Sequence, residues 1–191
     1  MKKAAYVIRI ITVAPVMALV LLLILYLRAP QTFGNTLVFV MTVFFLVVLP
    51  LLAYPLQPLV KKYKDKGREG QRTLALIFAV AGYIIGFVSA LVMNAPSDVL
   101  IIYISYMISG LLVAVANKVF HFKASGHACG VTGPFMLLVY FGQTIGFIGL
   151  GVLLMAWLAS IYMKRHTWPQ LLAGTAIPFA ALGFVLILSL G

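Results

Sequence analysis

Acidic residues are almost missing from this chain. Asp65, Glu69 and Asp98 are the only three among 191 residues, against 14 Lys and Arg. A carboxylate cage for magnesium or calcium therefore has too little material. One cysteine, Cys129, excludes an intrachain disulfide and a cysteine-based zinc cluster. Long polar stretches are missing too. The longest runs from Gln57 to Arg72, which leaves no room for a soluble domain. Internal repeats and low-complexity linkers are also lacking.

What fills the chain is hydrocarbon. Hydrophobic residues make up 64% and charged ones 9%, with a mean hydropathy of +1.14. These values belong to integral membrane proteins. The reading is an all-α polytopic helix bundle of six or seven spans, one domain over residues 1–191. Apolar runs near the length of a bilayer crossing fall at about 6–27, 36–56, 73–93, 98–116 and 168–188. Lys2 and Lys3 precede the first run as in a signal peptide. The run ends at Arg28-Ala29-Pro30 without a small-x-small cleavage site, so it is expected to be a retained span. In Asn94-Ala95-Pro96-Ser97-Asp98, a tight turn, Ser97 or Asp98 is expected to cap the following helix. The stretch 130–163 exceeds one ordinary span. Either one tilted helix fills it, or two shorter helices meet near Gln143. The second option returns the flanking segments to one membrane face.

The net charge of +11 would suggest nucleic acid in a soluble protein. In a membrane chain it reads instead as topology signal and lipid-headgroup contact. With seven spans and the N-terminus inside, every Lys and Arg except Arg28 falls on the cytoplasmic side. That is a strong positive-inside pattern, in the plasma membrane, with the lipid bilayer as partner and no nucleic acid.

Basic and imidazole groups gather in two short segments. The first runs Asn117-Lys118-Val119-Phe120-His121-Phe122-Lys123-Ala124-Ser125-Gly126-His127. The second is Lys164-Arg165-His166-Thr167-Trp168-Pro169-Gln170. The plain reading makes the lysines and arginines snorkelling anchors, His121 a headgroup-facing or structural residue, and Trp168 and Tyr162 an aromatic belt. Phosphate chemistry explains the grouping better. Lys118, Lys123 and Arg165 can hold phosphoryl oxygens, Arg two at once. Ser125 and Gly126 precede a helix whose N-terminal N–H groups can face an anion, and Gly126 allows close backbone approach. His127 suits acid work because the reference pKa of histidine lies near neutral. His166 must be neutral to attack phosphorus, with Gln170 one turn on as hydrogen-bond acceptor for its other nitrogen.

Ser125-Gly126-His127, then Arg165-His166 39 residues after His127, then Gln170-Leu171-Leu172-Ala173-Gly174, resembles the type 2 phosphatidic acid phosphatase (PAP2) superfamily. The likeness covers residues 117–174, within a PAP2-like core of 98–191 that follows N-terminal spans in 1–97. Three departures stand out. The family's proline before the Ser-Gly-His is Ala124, its Ser-Arg pair falls on Ala159 and Ser160, and its Asp is Gln170. The family's first signature is not matched, because Lys118 has no Arg-Pro seven residues on. The resemblance implies hydrolysis of a lipid phosphate or pyrophosphate without metal or cofactor. His166 would be the nucleophile forming a phosphohistidine, and His127 would protonate the leaving alkoxide. Phosphatidate, phosphatidylglycerophosphate and isoprenyl phosphates are the candidate substrate types. The departures leave open a second reading, a catalytically degenerate PAP2 fold that binds or transports lipid. A small-molecule transporter is a third reading, weakened by the lack of charged residues in mid-span.

Overall fold

The structure, a computed structural model, describes residues 2–190, so residues 1 and 191 of the single-domain reading lie outside it. Nine α-helices follow one another among the described residues: α1 (Lys2–Ile11), α2 (Ala14–Arg28), α3 (Thr36–Val43), α4 (Leu49–Leu56), α5 (Gly67–Val92), α6 (Ser97–Lys118), α7 (Gly126–Tyr140), α8 (Gly149–Tyr162) and α9 (Trp168–Leu190). Five helical runs are long and apolar enough to cross a membrane: Thr36–Leu59, Glu69–Val92, Ser97–Lys118, Thr144–Tyr162 and Trp168–Ile187. The α1–α2 pair adds a sixth if its two arms count as one span. The protein is an all-α polytopic membrane bundle.

The expected first span is broken. α1 and α2 meet at a 53° bend around Thr12 and Val13. Pro15 causes it: its ring lacks an N–H and would clash with the carbonyl four residues back. Val13 is accordingly extended, with ψ of 148°. α1 is amphipathic, placing Lys2, Lys3 and Arg9 on a short helix separate from α2, which is apolar until Arg28 at its end. A second proline shapes the next crossing. Pro50 cannot donate to the ladder, and a π turn over Phe44–Val48 joins α3 to α4, with the Leu49 N–H reaching the Phe44 carbonyl.

The expected cap at Ser97 or Asp98 is not formed. Pro96 occupies the cap position, Ser97 is the first helical residue, and no side chain accepts from the α6 N-terminus. Asp98 still lies in the first turn, where the helix dipole favours an acid. The stretch 130–163 resolves into two helices. α7 ends at Tyr140, Gly142 reverses the chain at a φ of +74°, and a tight turn over Thr144–Ile148 leads into α8. α7 has 15 residues, about 22 Å by helical rise, less than a ~30 Å hydrocarbon core.

Between helices in lipid, close packing and small residues hold the structure together. Leu21, Leu22 and Leu25 of α2 are fully buried against a core with Phe33, Val99, Ile102, Tyr103, Leu137 and Leu138. Glycines let backbones touch. Gly86 of α5 lies flat against the Tyr103 ring, and Gly130 of α7 sits against Ala14 of α2. The tightest approach to a backbone atom is at Gly174 of α9, where an added Cβ would overlap the Ser125 carbonyl oxygen. Gly126, by contrast, has only Val113 near, at 3.8 Å, so no neighbouring helix presses on it.

A stability contrast follows from this packing. Gly174→Ala should cost about 1–3 kcal/mol, the range for overpacking against immovable backbone. Gly126→Ala should cost little. Cys129, the single and buried cysteine, gives the readout: a thiol-reactive dye should report a midpoint several degrees lower for Gly174→Ala and unchanged for Gly126→Ala. Equal midpoints would mean that α9 and Ser125 separate without cost.

Candidate functional site

α6 ends at Lys118, and the chain crosses to α7 through Val119–Ser125 with His121 at a φ of +50°. Ser125 caps α7, its hydroxyl accepting the Ala128 N–H at 3.2 Å. Its own N–H donates to the Gln170 carbonyl at 2.9 Å. That bond ties the first basic segment to the first turn of α9. Ser125 is fully buried, so its hydroxyl serves the helix end, while Gly126 at the first helical position is exposed.

The second segment closes over the end of α8. Lys164 adopts a φ of +52°, and the Arg165 N–H returns to the Ser160 carbonyl at 2.9 Å. His166 follows, half-buried. Its Nδ1 lies 3.1 Å from Gln170 Oε1, which also accepts the Thr167 N–H at 3.2 Å. A carbonyl oxygen only accepts, so Nδ1 carries the proton and Nε2 keeps its lone pair. Gln170 thereby fixes the tautomer that nucleophilic attack requires, with its side chain on His166 and its backbone on Ser125.

His127 has a matching arrangement. Its Nε2 lies 2.9 Å from Thr12 Oγ1. The Thr12 hydroxyl donates its one hydrogen to the Ile8 carbonyl at 2.6 Å. Thr12 must therefore accept from His127 Nε2–H, which leaves Nδ1 as the nitrogen that exchanges a proton. One turn back on α1, Arg9 Nη1 donates to Ser160 Oγ. Ser160 is fully buried and donates in turn to the Ala156 carbonyl at 2.7 Å.

The charges follow this geometry. His127 is held well below its ordinary 6.5, at about 4, first by burial and then by the charges of Arg9 and His166, so it is neutral at neutral pH and must gain a proton before it can act as an acid. His166 is held below its ordinary 6.5, first by burial and then by the charges of Lys123, Arg9 and Arg72, with the Gln170 hydrogen bond opposing. The imidazole is thus neutral at neutral pH.

A depression of about 540 Å³ opens beside His166, lined by Lys123, Lys164, Arg165, His166, Trp168 and Gln170 among others. The structure gathers His127, His166, Gln170, Lys123, Ser125 and Arg165 at one end of the bundle. Of the residues expected at the site, Lys118, which is exposed at the end of α6, and Ser125, Gly126 and His127 do not line the depression. Residues 1–97 contribute as well: Arg9, Thr12 and Arg72 reach the site, three residues that charge counting alone assigned to topology or passed over. Pro15 was the available signal, since it breaks the first span and frees α1 to lie across this end. No group of three or more His, Cys, Asp or Glu side chains among the described residues could hold a metal ion. Compared with known proteins, the chain matches no family model, no curated protein and no solved structure.

Proposed function

We propose that this protein is a divergent PAP2-like phosphatase that hydrolyses a lipid phosphate or pyrophosphate without a metal ion. The observation that carries the reading is the pairing of two histidines, each with one ring nitrogen engaged by a neutral acceptor and the other left for chemistry. His166 Nε2 attacks phosphorus, and the bond from phosphorus to the lipid oxygen breaks. His127, charged by a second proton on Nδ1 for this step, gives that proton to the lipid oxygen and becomes neutral. Water then attacks the phosphohistidine, His127 takes a proton from it, and the P–N bond breaks to release phosphate. Lys123 and Arg165 hold the phosphoryl oxygens in the depression, as charge-assisted hydrogen bonds favour. Carboxylates are too few here to seat a divalent ion.

One observation favours the second reading, a lipid-binding relative without turnover. Gln170 is neutral where a carboxylate would stabilise the imidazolium that forms on His166. Phosphate release by purified protein from phosphatidate, phosphatidylglycerophosphate and isoprenyl phosphates, with and without EDTA, separates the two. Release that EDTA leaves intact supports the enzyme.

The site faces the cytoplasm in this proposal. Arg9, Arg72, Lys123 and His166 share one end of the bundle, and the positive-inside rule puts that end inside, in the plasma membrane. A cysteine introduced at Lys164 in a Cys129→Ser background should react with an impermeant thiol reagent only after permeabilisation. Labelling of intact cells reverses the assignment.

His166→Ala should abolish turnover on every substrate. His127→Ala should lower kcat by the ~10²-fold or more typical of a lost acid–base group, with partial recovery on a substrate whose leaving group needs no proton. Wild-type rates in both variants would end the enzyme reading.

The pH profile tests Gln170. The neutral form of His166 is the active one, so activity falls as pH drops through its pKa. Because that pKa is depressed, the acid limb of kcat/KM should lie below pH 6.5. Gln170→Asp adds a negative charge, raises the pKa and should move the limb upward while keeping or raising the plateau rate. Lys123→Ala removes a depressing charge and should also move it upward. Gln170→Leu should lower the rate. A Leu variant with the wild-type rate and profile removes Gln170 from any role in orienting His166.

A further inference from the structure

The N-terminal helix has no counterpart among the two segments that suggested phosphate chemistry, yet it reaches both. Thr12, at the α1–α2 bend, receives His127 Nε2–H. Arg9, three residues earlier, donates to Ser160 at the end of α8. Its charge acts on His127 and on His166 alike, whereas Lys123 and Arg72 act on His166. The guanidinium therefore lies within electrostatic reach of both imidazoles. Ser160 anchors it there and is itself anchored to the α8 backbone, so the Arg9 side chain is held in place.

We propose that α1 is a working part of the site: Arg9 holds the phosphoryl group of a phosphate monoester headgroup between the two histidines, and Thr12 is a positioning residue that sets the tautomer of His127. The assignment of Arg9 and Thr12 rests on the phosphate-transfer reading of the histidine pair. Three observations bear it beyond the two contacts. A guanidinium is the side chain that grips two phosphoryl oxygens at once, and it stays charged at every relevant pH. Three acids in the whole chain are too few to neutralise the cations gathered at this end, a charge balance that suits an anionic ligand. α1 is also amphipathic, with Lys2 and Lys3 exposed and the apolar Tyr6, Val7, Ile10 and Ile11 exposed beside them. Such a helix lies in the membrane interface, at the depth of a lipid headgroup. A phosphate carried by a lipid reaches Arg9 along that surface, which favours a lipid source over a free one.

The chemistry separates the two residues. Arg9 acts on the anion, so its loss weakens binding of substrate and product. Thr12 acts through His127, so its loss slows proton delivery and leaves binding alone.

The test uses the full-length protein in lipid nanodiscs, with Arg9→Ala, Arg9→Lys, Ser160→Ala, Thr12→Val, Thr12→Ser and, as control on the same helix, Lys3→Ala. Turnover is measured on dioctanoyl phosphatidate and on glycerol 3-phosphate. Binding of orthophosphate is measured separately, by the fluorescence of Trp168, which lines the depression. Arg9→Ala should raise KM and weaken orthophosphate binding at least tenfold. Arg9→Lys should recover part of both, and Ser160→Ala should fall between. Thr12→Val should lower kcat about 10²-fold at constant KM, the size expected for a misplaced acid, and Thr12→Ser should restore it. Wild type should prefer dioctanoyl phosphatidate; equal use of glycerol 3-phosphate overturns the lipid source. The Cys129 dye midpoint screens each variant for folding, and Arg9→Lys and Ser160→Ala carry the test if Arg9→Ala does not fold. An active wild type with Arg9→Ala and Arg9→Lys both matching Lys3→Ala overturns the Arg9 assignment and leaves the phosphatase intact. An active wild type with Thr12→Val equal to it in kcat overturns the Thr12 assignment. A wild type that binds orthophosphate through Arg9 but releases none from either substrate upholds the Arg9 assignment and sinks the phosphatase. A wild type that neither binds nor hydrolyses overturns both.

Discussion

The contact between Ser125 and the first turn of α9 is the constraint on which the site depends. The Ser125 N–H donates to the Gln170 carbonyl, and the Ser125 carbonyl rests on Gly174 so closely that no Cβ fits between them. Two segments forty residues apart are thereby held as one unit. The same Ser125 caps α7 through its hydroxyl, which sets the direction in which His127 leaves the helix end. The same Gln170 accepts from His166, which sets the other imidazole. A buried backbone N–H without a partner costs about as much as a lost hydrogen bond, more so near hydrocarbon. The clamp is therefore both a satisfied backbone and a fixed distance, and the positions of both histidines follow from it.

The chain's charge distribution follows from the same end of the molecule. Hydrocarbon excludes charge from mid-span, so Lys and Arg collect at helix ends. Here the start of α5, the end of α1 and the entry to α7 bring Arg72, Arg9 and Lys123 to bear on His166, and Lys164 and Arg165, in the turn before α9, line the depression beside it. Screening by water weakens each at the exposed surface, but partial burial of His166 restores some of their reach. Topology and anion binding thus draw on the same residues, which is why charge counting could account for Arg9 and Arg72 without revealing what they touch.

Much of this was legible in the sequence, in uneven measure. Apolar run length gave the all-α membrane bundle, because a bilayer sets one dimension for every crossing. Gly142-Gln143 gave the reversal between α7 and α8. The pairing of His127 with His166 rested on local motifs and on the even number of helices between them. The Thr12–His127 and Arg9–Ser160 contacts span 115 and 151 positions, and no periodicity encodes a contact of that range. Ser97 misled because a good capping residue was already preceded by Pro96, whose fixed φ starts the helix one position early. Gly174 was passed over because nothing near it in the sequence marks it as the glycine on which the Ser125 carbonyl rests.

An amide at Gln170, where the PAP2 resemblance would call for a carboxylate, is consistent with this ring of cations. A carboxylate on Nδ1 raises the pKa of a histidine and favours its charged form. Lys123, Arg9 and Arg72 do the opposite. With an acid beside it, His166 would be drawn toward protonation before substrate arrived; with an amide, it stays neutral and nucleophilic while still held in one tautomer. In the phosphatase proposed above, the amide's weakness would appear later, when attack on phosphorus places positive charge on the ring. At that moment the phosphoryl oxygens lie against the same cations and offset their repulsion of the imidazolium. In an empty site the cations keep His166 neutral, and in an occupied one they are engaged by the ligand. The ligand's own charge then takes over part of what a carboxylate would otherwise supply, which makes catalysis depend on a dianionic headgroup more strongly than on the lipid that carries it.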